Sequence, residues 1–168
     1  MDGEFFSLAQ PTETLAPVKP THRILVVDED EDLRHLLAHL LILDGDAVDA
    51  AQDGAQAWEL LQLNHYDLLI ADSHLTISTG MELLAKMRIA HMELPVIMIT
   101  DAAVAESFAE SPGLAPDAVL IKPVIEGELL QKVNTLLAEG FHEKSNSRPN
   151  WQNHTEALSD SSMPTSHP

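Results

Sequence analysis

The sequence predicts an α/β fold in which a parallel β-sheet carries helices on both faces. Short apolar runs without a polar–apolar alternation recur along the chain, as expected for strands that are covered on both sides. Each run is followed by a segment with helical spacing, so five strand–helix units alternate in order. The 168 residues suffice for one domain with a sizeable core and flanking segments.

Five apolar runs are predicted as strands, and four of them end in a charged or hydroxyl-bearing residue. The second run is the weakest in apolar character, and the third is continuously apolar before it stops at an acid. The predicted strands are Arg23–Asp28, Ala47–Ala51, Tyr66–Asp72, Pro95–Thr100 and Ala118–Lys122.

The segments between these runs have the spacing of amphipathic helices. In the first, the acidic residues 29–32 suit the positive end of a helix dipole. Leucines then recur at i, i+3, i+4, i+7 and i+8, and we expect all of them to face the core: Leu33, Leu36, Leu37, Leu40 and Leu41. The other helices are predicted to follow Asp53-Gly54, and at Gly80–His91, Ala102–Ala109 and Glu126–Ala138.

The composition of the two ends differs from that of the middle. Residues 1–22 mix proline with Thr and Glu and show no periodicity, which predicts a flexible leader. Residues 23–139 form the predicted domain, and residues 140–168 are predicted to be a disordered polar tail. With no output domain evident after residue 139, the direct interpretation is a single-domain protein.

The charge balance argues against nucleic acid as a direct partner. The chain has a formal net charge of -18, and residues 23–138 alone hold 20 acidic and 6 basic residues. Such a field repels a phosphate backbone. No apolar run approaches the length needed to cross a membrane, the N-terminus lacks the pattern of a secretory signal, and cysteine is absent. We therefore expect a cytoplasmic protein without a membrane partner.

The polar residues that end the strands are the candidate functional residues: Asp28 with Glu29, then Asp72, Thr100 and Lys122. The carboxyl ends of parallel strands meet at one edge of the sheet, where ligands of open α/β folds bind. Clustered carboxylates repel each other unless a hard cation such as Mg²⁺ lies among them. A cation, a hydroxyl and an ammonium together suit a phosphoryl group, with Asp72 as its nucleophile.

This set of residues resembles the receiver domains of two-component response regulators over about residues 22–139. Such a domain is flavodoxin-like, a doubly wound sheet of five βα units with strand order 2-1-3-4-5. The match rests on Val27-Asp28-Glu29-Asp30 after the first strand, Asp72 after the third, Gly80 eight residues later, Thr100 after the fourth, and Lys122-Pro123 after the fifth.

The resemblance implies a role for each strand-end residue. Asp72 would accept a phosphoryl group from a histidine kinase or a His-phosphotransfer protein, and Thr100 and Lys122 would contact that group. Such a domain is no enzyme beyond its own phosphorylation and autodephosphorylation, and it signals by binding a downstream protein that the sequence does not identify. The peptide bond between Lys122 and Pro123 is often cis in the family.

The resemblance also implies a metal site for Mg²⁺. Glu29 and Asp72 would bind the ion directly, and the backbone carbonyl of His74 would be a third ligand. Asp28 would act directly or through water.

Three positions depart from the family pattern. Val119 stands where the family has an aromatic residue that follows the movement of the threonine. Asp101 replaces a small residue beside the phosphoryl pocket, and Thr76 replaces a frequent proline in the loop after Asp72. Asp101 and Val119 favour an alternative in which the chain is a degenerate receiver that binds partners independently of phosphorylation.

Two enzyme-type alternatives fit less well. An aspartate-based phosphatase would use Asp28 as nucleophile in a DxD motif, but Glu31-Asp32 follows and the chain leaves no room for a cap. A flavodoxin would carry a Ser-, Thr- and Gly-rich loop after its first strand, and this loop is acidic. His35 and His39 lie at i and i+4 on the first predicted helix, away from the leucine stripe, and we interpret them as a solvated or partner-facing surface.

Overall fold

Five parallel strands form one sheet in the order β2-β1-β3-β4-β5, which confirms the predicted flavodoxin-like α/β fold. The computed structural model describes residues 22–110 and 112–146. Because the strands are parallel and alternate with helices, their carboxyl ends all lie at one edge. The strands are β1 Arg23–Val27, β2 Ala47–Ala51, β3 Leu68–Asp72, β4 Val96–Thr100 and β5 Ala118–Ile121.

Helices cover both faces of this sheet, and the fourth is followed by two short 3₁₀ turns, Phe108–Glu110 and Pro112–Leu114. The helices are α1 Glu31–Asp44, α2 Gly54–Leu63, α3 Gly80–Ile89, α4 Ala102–Ser107 and α5 Glu126–Asn146.

The core consists of two apolar layers, one on each side of the sheet. Alternate strand residues enter alternate layers, so that Leu69 and Ala71 of β3 face α2 and α3 while Leu68 and Ile70 face α1 and α5. Both layers are buried, which explains why the strand sequences are apolar without alternation.

The ends of α1 follow from its sequence. The Asp30 side chain accepts hydrogen bonds from the backbone N–H groups of Asp32 and Leu33, at 3.0 and 3.1 Å. Gly45 closes the helix with φ at 104°, a left-handed conformation that favours glycine. Within the helix, the buried residues are Leu37 and Leu41, whereas Leu36 is 50% exposed. The prediction that the whole leucine stripe faces the core was therefore wrong for Leu36, because the contact with the sheet is narrower than the stripe.

Two helix ends differ from the sequence-based expectation. Helix α4 gives way to 3₁₀ turns after Ser107, before the predicted end at residue 109. Helix α5 continues to Asn146, so the first residues of the predicted polar tail are helical. The apolar stripe that defined the prediction ends earlier, but no proline interrupts the backbone until Pro149.

The predicted leader and tail lie largely outside the described residues. At the boundary, His22 accepts a backbone hydrogen bond from Ala47 at 2.9 Å, and its ring nitrogen Nδ1 lies 3.2 Å from Asp46 Oδ1. His22 is thus tied to the second strand. Within the described ranges, no helix is long and apolar enough to cross a membrane.

Gly80, the first residue of α3, allows this helix to approach the end of β3. A Cβ atom at this position would lie 2.2 Å from the carbonyl oxygen of Asp72 and 2.9 Å from Met98 Sδ. The close approach places the N-terminus of α3 directly behind the strand end that carries Asp72.

We predict that Gly80→Ala lowers the free energy of unfolding by roughly 2 kcal/mol, because a backbone atom blocks the added methyl group. Urea denaturation measures the change. Gly127→Ala is the matched control, since nothing lies within 4 Å of a Cβ there and alanine is the better helix former. A Gly80→Ala protein as stable as the wild type would contradict the close approach.

Candidate functional site at the carboxyl edge of the sheet

The sheet topology brings the strand-end residues into one cluster. Val27 of β1 pairs with Ala71 of β3, so Asp28 and Asp72 follow on neighbouring strands. Thr100 ends β4, and its carbonyl accepts a hydrogen bond from the backbone N–H of Lys122 at 2.9 Å. The structure therefore places Asp28, Asp72, Thr100 and Lys122 at the same edge. The Lys122–Pro123 peptide bond is cis.

Asp72 lies at the centre of this cluster and is only 4% exposed. Its Oδ2 accepts a hydrogen bond from Lys122 Nζ at 2.6 Å, and its Oδ1 accepts one from the backbone N–H of His74 at 2.9 Å. Desolvation by itself lowers the pKa of Lys122, but the hydrogen bond and charge of Asp72, with the charges of Asp28 and Asp101, raise it overall. Lys122 is thus held as a cation against the Asp72 carboxylate.

Asp28 is a second buried carboxylate, with 1% exposure. Its Oδ1 accepts a hydrogen bond from the Asp30 backbone N–H at 2.9 Å. Desolvation, reinforced by the charge of Asp72, raises the pKa of Asp28, although the Asp30 hydrogen bond and the Lys122 charge oppose the shift. Its Oδ2 is the one buried side-chain oxygen or nitrogen in the described part of the chain that lacks a hydrogen-bond partner.

Arg34 fixes the acidic loop between β1 and α1. Its Nη1 donates to the carbonyl oxygen of Asp28 at 2.6 Å and to that of Glu29 at 3.5 Å. A role for this residue was not predicted from the sequence. An arginine on the first turns of a helix that follows an acidic run is the signal that would have found it.

Glu29 contacts the loop between β3 and α3. Its Oε2 accepts a hydrogen bond from Thr76 Oγ1 at 2.6 Å, and its Oε1 accepts one from the Thr76 backbone N–H. These bonds, the side-chain one first, lower the pKa of Glu29, which is exposed. A proline at position 76 would provide neither donor, so this contact depends on the departure from the family pattern.

Thr100 makes its hydrogen bond on the side away from Asp72. Its side chain is completely buried, and Oγ1 accepts from Ser73 Oγ at 2.7 Å. Ser73 Oγ also lies 2.9 Å from His74 Nδ1. In the described structure, no hydrogen bond joins Thr100 to Asp72 or Lys122. Ser73 was not selected from the sequence, although a hydroxyl directly after Asp72 is a visible signal.

The donor set at this edge fits a hard cation only in part. The two carboxylates of Asp28 and Asp72 and the unpartnered Asp28 Oδ2 favour a divalent ion with oxygen ligands. Among residues 22–110 and 112–146, however, no three His, Asp or Glu side chains lie together as a preformed metal group. The Glu29 carboxylate accepts its hydrogen bonds from Thr76.

The two other departures from the family pattern lie beside the cluster. Asp101 is exposed at the start of α4, its side chain makes no capping hydrogen bond, and its charge reaches Lys122. Val119 on β5 is partly buried against the apolar layer that faces α2 and α3. The position predicted to transmit the movement of Thr100 thus holds a small aliphatic side chain.

Comparison with known proteins agrees with the fold. The response regulator receiver domain family matches residues 24–134. The chain is 35% identical to the response regulator RppA of Synechocystis over 68% of this chain, and 30% identical to the transcriptional regulatory protein CusR of Escherichia coli over 70%. It spans about half the length of these curated relatives, 50% and 52% respectively.

A solved structure is similar in the same region. The response regulator TrrA of Thermotoga maritima, in complex with Mg²⁺ and BeF, superposes with a TM-score of 0.61 at 30% identity, over 68% of this chain and 98% of that one. The chain therefore belongs to the response regulator receiver domain family, as its strand-end residues indicated.

We predict that Thr76→Val raises the pKa of Glu29 toward its ordinary value, because the Thr76 hydroxyl is the largest cause of its lowering. Carboxyl ¹³C NMR titration measures the change. Thr135→Val, which removes an exposed hydroxyl on α5, is the control and leaves the Glu29 titration unaltered. An unchanged Glu29 pKa in Thr76→Val would show that the hydroxyl does not hold this carboxylate.

Proposed function

We propose that this receiver domain accepts a phosphoryl group on Asp72 from phosphohistidine of a histidine kinase or a His-phosphotransfer protein. The observation that carries the proposal is the buried Asp72 carboxylate, with Lys122 Nζ at 2.6 Å and the unsatisfied Asp28 carboxylate beside it. Residues of this type at this edge of a parallel sheet suit phosphoryl transfer.

The reaction requires little of the protein beyond position and charge. A carboxylate oxygen of Asp72 attacks phosphorus, the bond between phosphorus and the donor imidazole nitrogen breaks, and an acyl phosphate forms. The Lys122 cation, already held against Asp72, neutralises charge on the phosphoryl oxygens. Attack of water on the acyl phosphate returns the carboxylate and releases phosphate.

Mg²⁺ is the proposed cofactor, held by Glu29, Asp72 and the backbone carbonyl of His74, with Asp28 acting directly or through water. When bound, the ion neutralises charge on the transferring group and between the two carboxylates. In the structure, both Glu29 oxygens accept hydrogen bonds from Thr76. Asp28 supplies the support for the proposal, because its buried Oδ2 has no other partner.

Signalling by protein–protein interaction is the proposed output. The excess of acidic residues in the domain argues against direct contact with nucleic acid. CusR is named a transcriptional regulatory protein, and this chain matches half of its length. We therefore propose that any role in transcription depends on nucleic-acid contacts made outside this domain.

The second candidate is a degenerate receiver that binds its partner without phosphorylation. Two observations favour it. The charge of Asp101 reaches the site and opposes the entry of an anionic donor. Val119 replaces the aromatic residue that the family uses to transmit the switch.

Phospholabelling separates the two candidates. Incubation with acetyl phosphate and Mg²⁺ is expected to add one phosphoryl group, measured as a mass shift of the intact protein, and the adduct is expected to be labile to hydroxylamine. Asp72→Asn abolishes the label, whereas the control Asp44→Asn, an exposed acid at the end of α1, retains it. Absence of label in the wild type, or label that survives in Asp72→Asn, would contradict phosphoryl acceptance at Asp72.

A further inference from the structure

The loop after β3 contains a serine whose hydroxyl contacts the buried threonine of the site. Ser73 Oγ donates to Thr100 Oγ1 at 2.7 Å, and both side chains are buried, with Ser73 6% and Thr100 0% exposed. In a buried environment a hydroxyl without a partner is costly, so this contact determines where the Thr100 hydroxyl rests.

The backbone fixes this contact. The Ser73 N–H donates to the carbonyl oxygen of Ile99 at 2.9 Å, which extends the pairing of β3 with β4 by one residue and places Ser73 beside Thr100. The Ser73 carbonyl accepts from Gly80 N–H at 3.3 Å. The Ser73 backbone is therefore fixed by Ile99 and Gly80, and only the orientation of the Ser73 hydroxyl is free to vary.

Strand alternation puts this contact on the opposite face of the sheet from Asp72. Along β3, Asp72 continues the series of Leu68 and Ile70, which face α1 and α5. Ser73 continues the series of Leu69 and Ala71, which face α2 and α3. On β4, Thr100 lies two residues after Met98, whose side chain belongs to the same layer, so Thr100 lies on the face that α2 and α3 cover. The resting Thr100 hydroxyl is thus directed away from the carboxylate that would carry a phosphoryl group.

We propose that Ser73 is a positioning residue that holds the Thr100 hydroxyl in its unphosphorylated arrangement, so that a phosphoryl group on Asp72 must compete with Ser73 for it. This inference rests on the proposed function. His74 Nδ1, 2.9 Å from Ser73 Oγ, holds the serine hydroxyl from the other side. The hydrogen bond thereby stabilises the resting form relative to the phosphorylated one.

Removal of the serine hydroxyl shifts this balance. In Ser73→Ala the resting form loses the partner of a fully buried hydroxyl, whereas the phosphorylated form offers Thr100 a new one. A typical net hydrogen bond corresponds to about a fivefold change in an equilibrium constant. We therefore expect an acyl phosphate mimic to bind Ser73→Ala about fivefold more tightly than it binds the wild type.

The probe is beryllofluoride in saturating Mg²⁺, titrated against the full chain and followed by thermal shift. The expected results are tighter binding to Ser73→Ala, wild-type binding to the hydroxyl-retaining variant Ser73→Thr, and wild-type binding to the control Ser78→Ala in the same loop. In a Thr100→Val background, Ser73→Ala is expected to have no further effect. Equal or weaker binding to Ser73→Ala, or the same gain in the Thr100→Val background, would overturn the proposal.

A second measurement needs neither metal nor mimic. A double-mutant cycle of Ser73→Ala and Thr100→Val on the free energy of unfolding is expected to show coupling between the two residues, and additive effects would overturn the contact itself. The experiments distinguish a failure of the proposed function from a failure of the proposed role of Ser73. A wild-type chain that does not bind beryllofluoride contradicts the proposed function, whereas a wild-type chain that binds it, without tightening in Ser73→Ala, contradicts only the role of Ser73.

Discussion

The arrangement of this site depends on the ion pair between Asp72 and Lys122, which joins the ends of two strands that are not adjacent. β4 lies between β3 and β5, so Lys122 reaches across one strand to place Nζ 2.6 Å from Asp72 Oδ2. Burying a carboxylate is costly unless it is paired and hydrogen-bonded, and Asp72 meets both conditions through Lys122 and the His74 backbone. Asp28 meets these conditions only in part, because one of its two carboxylate oxygens has no hydrogen-bond partner. The protein thus tolerates one unsatisfied carboxylate oxygen at the edge where the chemistry is proposed, which is a cost that the fold alone does not explain.

Much of this arrangement could be predicted from the sequence, because its causes are local or periodic. Strands buried on both faces must be continuously apolar, and the order of strands and helices then fixes a parallel sheet whose carboxyl ends meet. The sequence predicts which residues end these strands, and the structure places them together: Asp28, Asp72, Thr100 and Lys122. Their chemical roles stay predictions.

The parts that the sequence did not predict depend on the direction of individual side chains. The role of Glu29 as a metal ligand stays a prediction, and the sequence does not show that its carboxylate accepts both donors of Thr76 on the neighbouring loop. Leu36 has the spacing of a core residue yet is half exposed, since the periodicity does not state how wide the contact with the sheet is. Ser73 went unnoticed because only the pairing of β3 with β4 shows that its hydroxyl meets Thr100. In each case a contact between distant segments, rather than a local preference, decides the outcome.

Two hydroxyls contact residues of the strand-end cluster. Thr76 donates to the Glu29 carboxylate, and Ser73 donates to Thr100. The proposed effect of the Ser73 contact is to favour the resting arrangement. Val119, in place of the aromatic residue of the family pattern, is partly buried on β5.

We propose that the buried Asp28 carboxylate is kept for a cation at the expense of stability. The most direct test is urea denaturation of the wild type and of Asp28→Asn, with and without Mg²⁺. Because the folded pKa of Asp28 is raised, its ionised form costs stability above that pKa, and the cost disappears as the pH falls below the unfolded value. Without Mg²⁺ near pH 7, we expect Asp28→Asn to be more stable than the wild type. We expect added Mg²⁺ to stabilise the wild type more than the variant. A wild-type protein indifferent to Mg²⁺, with Asp28→Asn the less stable of the two, would contradict it.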